Sequence, residues 1–340
     1  MKILKTLFIK FILKSRKRLF LIKKNLIFKS LINKPNYKIL SFGSKNKNKI
    51  FYVIKRFGGG GFFSNFLFVL NHLIIADKFK FIPVVDMENF TNFYTEKKII
   101  NGNKNVWEFF FEKVSKYNLK EVYNSQNVIL TDDLFYNEMS TNYRQNSKNL
   151  FKVYKKYIKI KPFVKKTVES FIKKNFLNNK VLAVHWRGTD HKVLPKHPLP
   201  PTKKQIFKKV DTLINKNKYN KIFLVTEDKK NFEDFVKYYG NKVCYYKSFR
   251  TNKTKDFDNF NRKNHKFNLA RESLVEVMIL SKLDIIVCSK SNISEIGVFM
   301  SNKKFKVHEI YNGFNTNSLI WSLFYWHIRS KLPTYFGGFK

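Results

Sequence analysis

The chain has 340 residues, 44% hydrophobic and 17% aromatic, enough apolar material for about two domains with sizeable cores, which excludes an intrinsically disordered protein. Its 67 Lys and Arg against 24 Asp and Glu leave a formal charge of +43, so polyanions should bind it non-specifically and salt should weaken that binding. The excess is spread along the whole chain, which points to compositional drift rather than a dedicated basic patch, and no apolar run approaches the roughly 18 residues of a spanning helix.

Residues 1–34 alternate short apolar runs with Lys and Arg at three- and four-residue spacing, the pattern of a basic amphipathic helix. It has no unbroken apolar core or small-residue cleavage site of a signal peptide. Two readings stand: a helix lying in an anionic membrane interface, or a solvated helix packed on the main body. Asn33-Lys34-Pro35-Asn36 breaks it, and a polar linker leads to a strand over 50–54. Glycines 58–61, an apolar helix over 63–76 and a strand over 81–86 follow, the opening of an α/β domain. Residues 105–125 read as helix with a loop, 128–130 as a strand, and 143–160 and 164–175 as helices.

The second half alternates more strictly. Strands are expected over 181–186, 222–225, 243–246, 285–288 and 306–310, with helices over 202–215, 231–239, 273–281 and 293–300. The fold class is therefore α/β, with two Rossmann-like domains facing a cleft, behind the amphipathic N-terminal helix. The boundaries are 1–48 for helix and linker, 49–165 for an acceptor-side α/β domain, 166–312 for a nucleotide-binding domain and 313–340 for a tail. Cys244 and Cys288 have no CxxC or metal-ligand spacing and read as buried reduced thiols, which fits a cytoplasmic protein.

The sharpest feature is His185-Trp186-Arg187-Gly188-Thr189-Asp190, at the end of a buried strand. Ligands of open α/β sheets bind at that end. An arginine there forks hydrogen bonds onto a phosphate, Gly188 lets a ligand approach the backbone, and Asp190 orients Arg187 or His185. The alternative is an Arg–Asp pair that only closes a loop. Glu227-Asp228 ends another strand and raises the question of a divalent ion. His185, His191 and His197 fall six residues apart in a proline-containing loop, which does not suit zinc.

The segments VHWRGTDH (184–191), KIFLVTEDKKNFEDF (221–235) and SLVEVMILSKLDIIVCSKSNIS (273–294) resemble, in the same order, the HxRxxD superfamily of α1,6-, nodulation and protein O-fucosyltransferases. GGGGFFSNF (58–66), PVVDMENF (83–90) and NVWEFFFE (105–112) add weaker likeness, so the resemblance spans about 50–310. It implies a GT-B-like glycosyltransferase that moves fucose from GDP-fucose to a glycan of a surface polysaccharide or lipid-linked oligosaccharide, with inversion and no metal or other cofactor. By the same resemblance Arg187, Asn65 and Asp190 are catalytic. His185, Arg187, Gly188, Asp228, Glu276, Ser289, Ser291 and Asn292 hold the donor, with Glu276 on the base and the serine loop on phosphate or ribose.

One departure concerns the base. Relatives of the α1,6 type carry a Lys just after the motif and a Glu in the following loop, whereas positions 191–198 here hold no acid. Asp86, Glu88 and His191 are the candidates. The expected location is cytoplasmic and peripheral on the inner face of the plasma membrane, through residues 1–34. Another nucleotide sugar, a basic nucleic-acid-binding protein and a non-catalytic scaffold remain as alternatives. No RNP, KH, zinc-finger or helix-turn-helix signature supports a specific nucleic-acid partner.

Overall fold

The computed structural model describes residues 39–56, 58, 60–131 and 147–339. The expected helix over 1–34 lies outside them. The chain divides into two compact units, Met1–Asn142 with Lys148–Lys161, and Tyr143–Ser147 with Pro162–Lys340.

The first unit is built on a four-stranded sheet of order β1-β4-β2-β3, with β1 at Ile39–Leu40, β2 at Phe51–Lys55, β3 at Ile82–Asp86 and β4 at Val128–Leu130. Strand β2 runs parallel to both neighbours, and β1 pairs antiparallel to β4. The helix joining β2 to β3, Phe62–Lys78, is apolar on all sides and accordingly buried on nearly all sides. Phe62 and Phe66 pack on Phe111, and Phe66 also stacks on Trp107.

The helix with a loop expected over 105–125 is mostly loop. It holds a 3-10 turn at Trp107–Phe109 and a single helical turn at Leu119–Val122, started by a capping box between Asn118 and Glu121. Val106, Trp107, Phe109, Phe110 and Phe111 are all buried.

The second unit carries a five-stranded, all-parallel sheet of order β7-β6-β5-β8-β9. Its strands are β5 at Val181–His185, β6 at Lys221–Val225, β7 at Val243–Cys244, β8 at Ile285–Cys288 and β9 at Lys306–Glu309. The central strands are near-continuous apolar runs, as burial on both faces requires. Helices Lys203–Asn217, Lys229–Tyr239, His265–Leu280 and Asn292–Ser301 connect them.

Three elements differ from expectation. The third helix begins at His265, well before Ser273, because buried Glu272 and Glu276 break the apolar pattern while ion pairs to Arg262 and Arg250 let them enter the interior. Strand β7 stops at Cys244, two residues early. Residues 313–340, read as a tail, hold a helix at Leu319–Arg329 capped by Ser318. Cys244 and Cys288 are both buried, and burial pushes the Cys244 thiol up to about 11. Among the described residues no helix is long and apolar enough to cross a membrane.

Candidate functional site

In the second sheet β6 and β7 lie on one side of β5, and β8 and β9 on the other. Chain order reverses between β5 and β8, and a crevice opens beyond the carboxyl ends of such strands. The ends are level: His185 pairs with Val225 of β6 and Cys288 of β8. The loops leaving this edge carry Arg187 to Asp190, Glu227 and Asp228, and Ser289 to Asn292. Most of the expected residues therefore meet at one place.

One Arg187 nitrogen, Nη2, donates to both carboxylate oxygens of Asp190, at 2.8 and 2.9 Å. Its Nε lies 3.5 Å from Glu227 Oε1, and the side chain stays about 20% exposed. The guanidinium is thus fixed by two carboxylates at the sheet edge while still open to solvent. Glu227 also accepts from the Gly188 backbone N–H at 2.9 Å. Burial raises the Glu227 pKa, against the pull of Arg187.

Asp228 has a different task. Its Oδ1 caps the Lys229–Tyr239 helix through Asn231 N at 3.0 Å, and its Oδ2 accepts from Lys192 Nζ at 3.0 Å. The adjacent carboxylates of Glu227 and Asp228 thus serve separate partners rather than converging as a chelate. Gly188 is needed for space: a Cβ there would stand 2.6 Å from Asp228 Oδ2 and 2.8 Å from Asn231 Nδ2. Among the described residues no group of three His, Cys, Asp or Glu side chains is placed to hold a metal ion.

His185 is fully buried, with Nδ1 2.7 Å from Ser294 Oγ. Ser294 donates to the Ser289 carbonyl at 3.3 Å, so its hydroxyl proton is used and Nδ1 is assigned as the donor to it. Nε2 is then a bare acceptor, buried with no hydrogen-bond partner among the described residues. Burial, then Arg187 and His191, lower the His185 pKa to about 3, so the ring is neutral. It ties β5 to the Asn292–Ser301 helix. Ser289 Oγ is likewise buried without a hydrogen-bond partner among the described residues. Ser291 caps that helix by accepting from Ile293 N at 3.3 Å, and Asn292 is exposed at its first position. The helix N-terminus presents partial positive charge to the crevice.

Glu276 lies deeper in the same unit. Its Oε1 accepts from Ser248 Oγ at 2.6 Å and stands 3.7 Å from Arg250 Nη2. Burial pushes its pKa up to about 7, with Arg250 opposing. Ser248 and Arg250 line a cavity of about 430 Å³ together with Phe249, Arg262, Arg271 and Glu272, while Glu276 stands behind it. Ser248, Arg250 and Glu227's grip on the Gly188 amide were not legible in the sequence. In a chain with 67 Lys and Arg, one more basic residue after a strand carries little information.

Of the candidate bases, Asp86 is fully buried and closes the turn after β3. It accepts from the N–H groups of Glu88 and Asn89, from Asn89 Nδ2 at 2.9 Å and from Tyr123 Oη at 2.6 Å. Glu88 is exposed. His191 contacts the Pro198 carbonyl at 3.2 Å, and burial and Arg187 lower its pKa to about 3. A base that weak captures little proton at neutral pH. In the first unit, Asn65 sits in the first turn of the Phe62–Lys78 helix, buried, its Oδ1 without a hydrogen-bond partner among the described residues. Gly58, before that helix, has φ +86°, which favours glycine.

No family model and no curated protein sequence matches the chain. Among solved structures it is similar to the NodZ alpha-1,6-fucosyltransferase from Bradyrhizobium, at 12% identity and a TM-score of 0.49, over 74% of this chain and 93% of that one. NodZ co-crystallised with GDP gives the same identity and TM-score, over 74% and 92% of the two chains. It is also similar to POFUT1 in complex with GDP-fucose, at 11% identity and a TM-score of 0.45, over 80% and 100%. One fold hosts many chemistries, so the likeness assigns no activity.

Proposed function

We propose that the chain is a glycosyltransferase that takes fucose from GDP-fucose and transfers it, with inversion, to a glycan of a surface polysaccharide or lipid-linked oligosaccharide. The observation that carries this reading is Arg187, part-exposed and held by Asp190 and Glu227 at the reversal point of a parallel sheet. A diphosphate leaving group needs its growing charge neutralised, and a guanidinium fixed beforehand does so without reorganising. The N-terminus of the Asn292–Ser301 helix adds to that field. Asp190 orients the guanidinium, and His185 holds β5 against the helix. The donor's base lodges in the cavity beside Ser248, with Phe249 as an apolar wall and Glu276 behind. Asn65 is a catalytic candidate on the sequence resemblance alone.

The test is a thermal-shift panel of GDP, UDP, CDP and their sugars, followed by product analysis with the best ligand. At 100-fold excess over Kd, GDP should stabilise by about 2.7 kcal/mol, a rise of several degrees. Arg187→Ala should stay folded and lose that rise. An unchanged GDP shift in the variant would remove Arg187 from the phosphate site. A response to UDP or CDP alone would redirect the donor, and none at all would end the sugar-nucleotide reading.

A further inference from the structure

The Leu319–Arg329 helix is built inside out. Its body-facing side is polar. Ser322 is buried, and its carbonyl accepts from Asn315 Nδ2 at 3.0 Å. Trp326 Nε1 donates to the Pro200 carbonyl at 2.8 Å, and Arg329 Nη1 to the Asn312 carbonyl at 3.2 Å. Its outward side is apolar: Ile320 (71% exposed), Trp321 (64% exposed), Phe324 and Ile328 recur at helical spacing. Tyr335 and Phe336 are exposed just beyond. A contiguous apolar surface of this kind marks an interaction site.

The composition of the surface selects its occupant. No Asp or Glu occurs between 310 and 340, while Lys331 follows the helix, and the chain carries +43. Trp, Tyr and Phe beside basic residues are the side chains that settle at the boundary of headgroups and acyl chains. Such a charge is drawn to anionic lipid, whereas two copies of the chain repel one another. We propose that this surface docks on an anionic bilayer, with the helix lying in the interface plane. The helix packs on the Thr189–Lys192 turn, and Lys192 Nζ lies 5.3 Å from the Trp326 ring centre. Docking therefore holds the Arg187 loop beside the lipid surface. The proposal stands apart from the sugar-nucleotide reading and from residues 1–34.

The test uses the full chain and phosphatidylglycerol-containing vesicles with brominated acyl chains. Trp107 and Trp186 are buried, so quenching of tryptophan emission reports on this helix whatever the N-terminal segment does. Emission should fall on binding, and Trp321→Phe should lose most of the effect. At about 0.5 M salt, where lysine-driven adsorption is screened, the combined Ile320→Ser, Phe324→Ser and Ile328→Ser variant should bind about tenfold less than the native chain. These side chains are exposed, so its melting temperature should match the native one. A vesicle-bound chain with unquenched emission would overturn the proposal. So would failure to bind vesicles, or a concentration-dependent dimer that the triple variant abolishes while vesicle binding is unaltered.

Discussion

At Gly188 the constraint is room. The added methyl of Gly188→Ala would meet Asp228 Oδ2, which Lys192 Nζ holds, and the buried Asn231 Nδ2. Overpacking of this kind costs about 1–3 kcal/mol. Urea unfolding should show that loss, and the displaced Gly188 amide should weaken its bond to Glu227. Glu276 makes a different demand. Its folded pKa of about 7 stands above the ordinary value of 4.5, because burial outweighs Arg250. The native state then holds the proton more tightly. The contribution is full below about pH 4.5 and is lost as pH rises through about 7. Glu276→Gln keeps an acceptor for Ser248 and removes that loss. From pH 5 to pH 8 the variant should gain about 1–3 kcal/mol relative to the native chain. A difference that does not vary with pH would show that Glu276 does not titrate there.

At the scale of elements, the Arg187 loop is braced by a helix start. Asp228 caps the Lys229–Tyr239 helix and binds Lys192, while Lys192 lies over Trp326 of the C-terminal helix. Asp228→Ala should cost about 1–2 kcal/mol by loss of the cap alone. It should also leave GDP binding weaker but not abolished, unlike Arg187→Ala. Chemical denaturation and GDP titration of the two variants make the comparison. The parallel strands β5, β6 and β8 were legible because apolar runs of that length between polar turns have one common explanation. The start of the His265–Leu280 helix was not, because two internal ion pairs hide its buried face among charged residues. The 105–125 segment misled in the opposite sense: its apolar residues are real core residues, but their spacing follows the surrounding packing rather than a helical period.

For the whole molecule, the charge of +43 predicts two kinds of anion binding with different salt responses. Binding of RNA or heparin, spread over many lysines, should fall by orders of magnitude between about 50 and 200 mM salt. GDP held by one fixed guanidinium and a helix N-terminus should weaken much less. Fluorescence titrations at both salt levels distinguish them, and equal salt slopes would make the nucleotide one more non-specific polyanion.

The amino-acid sequence alone determined the α/β class, the strands of the second half and the position of Arg187 at a strand end. These depend on local patterns of apolar runs, turns and one short motif. Only the tertiary structure decided what each polar side chain does. Asp190 and Glu227 converge on Arg187, Asp228 turns away to cap a helix, Asp86 closes a turn, and the 319–329 helix faces its apolar side outward. Those assignments depend on distances between residues far apart in the chain, and a hydrogen bond or an ion pair leaves no periodic trace in the order of the residues.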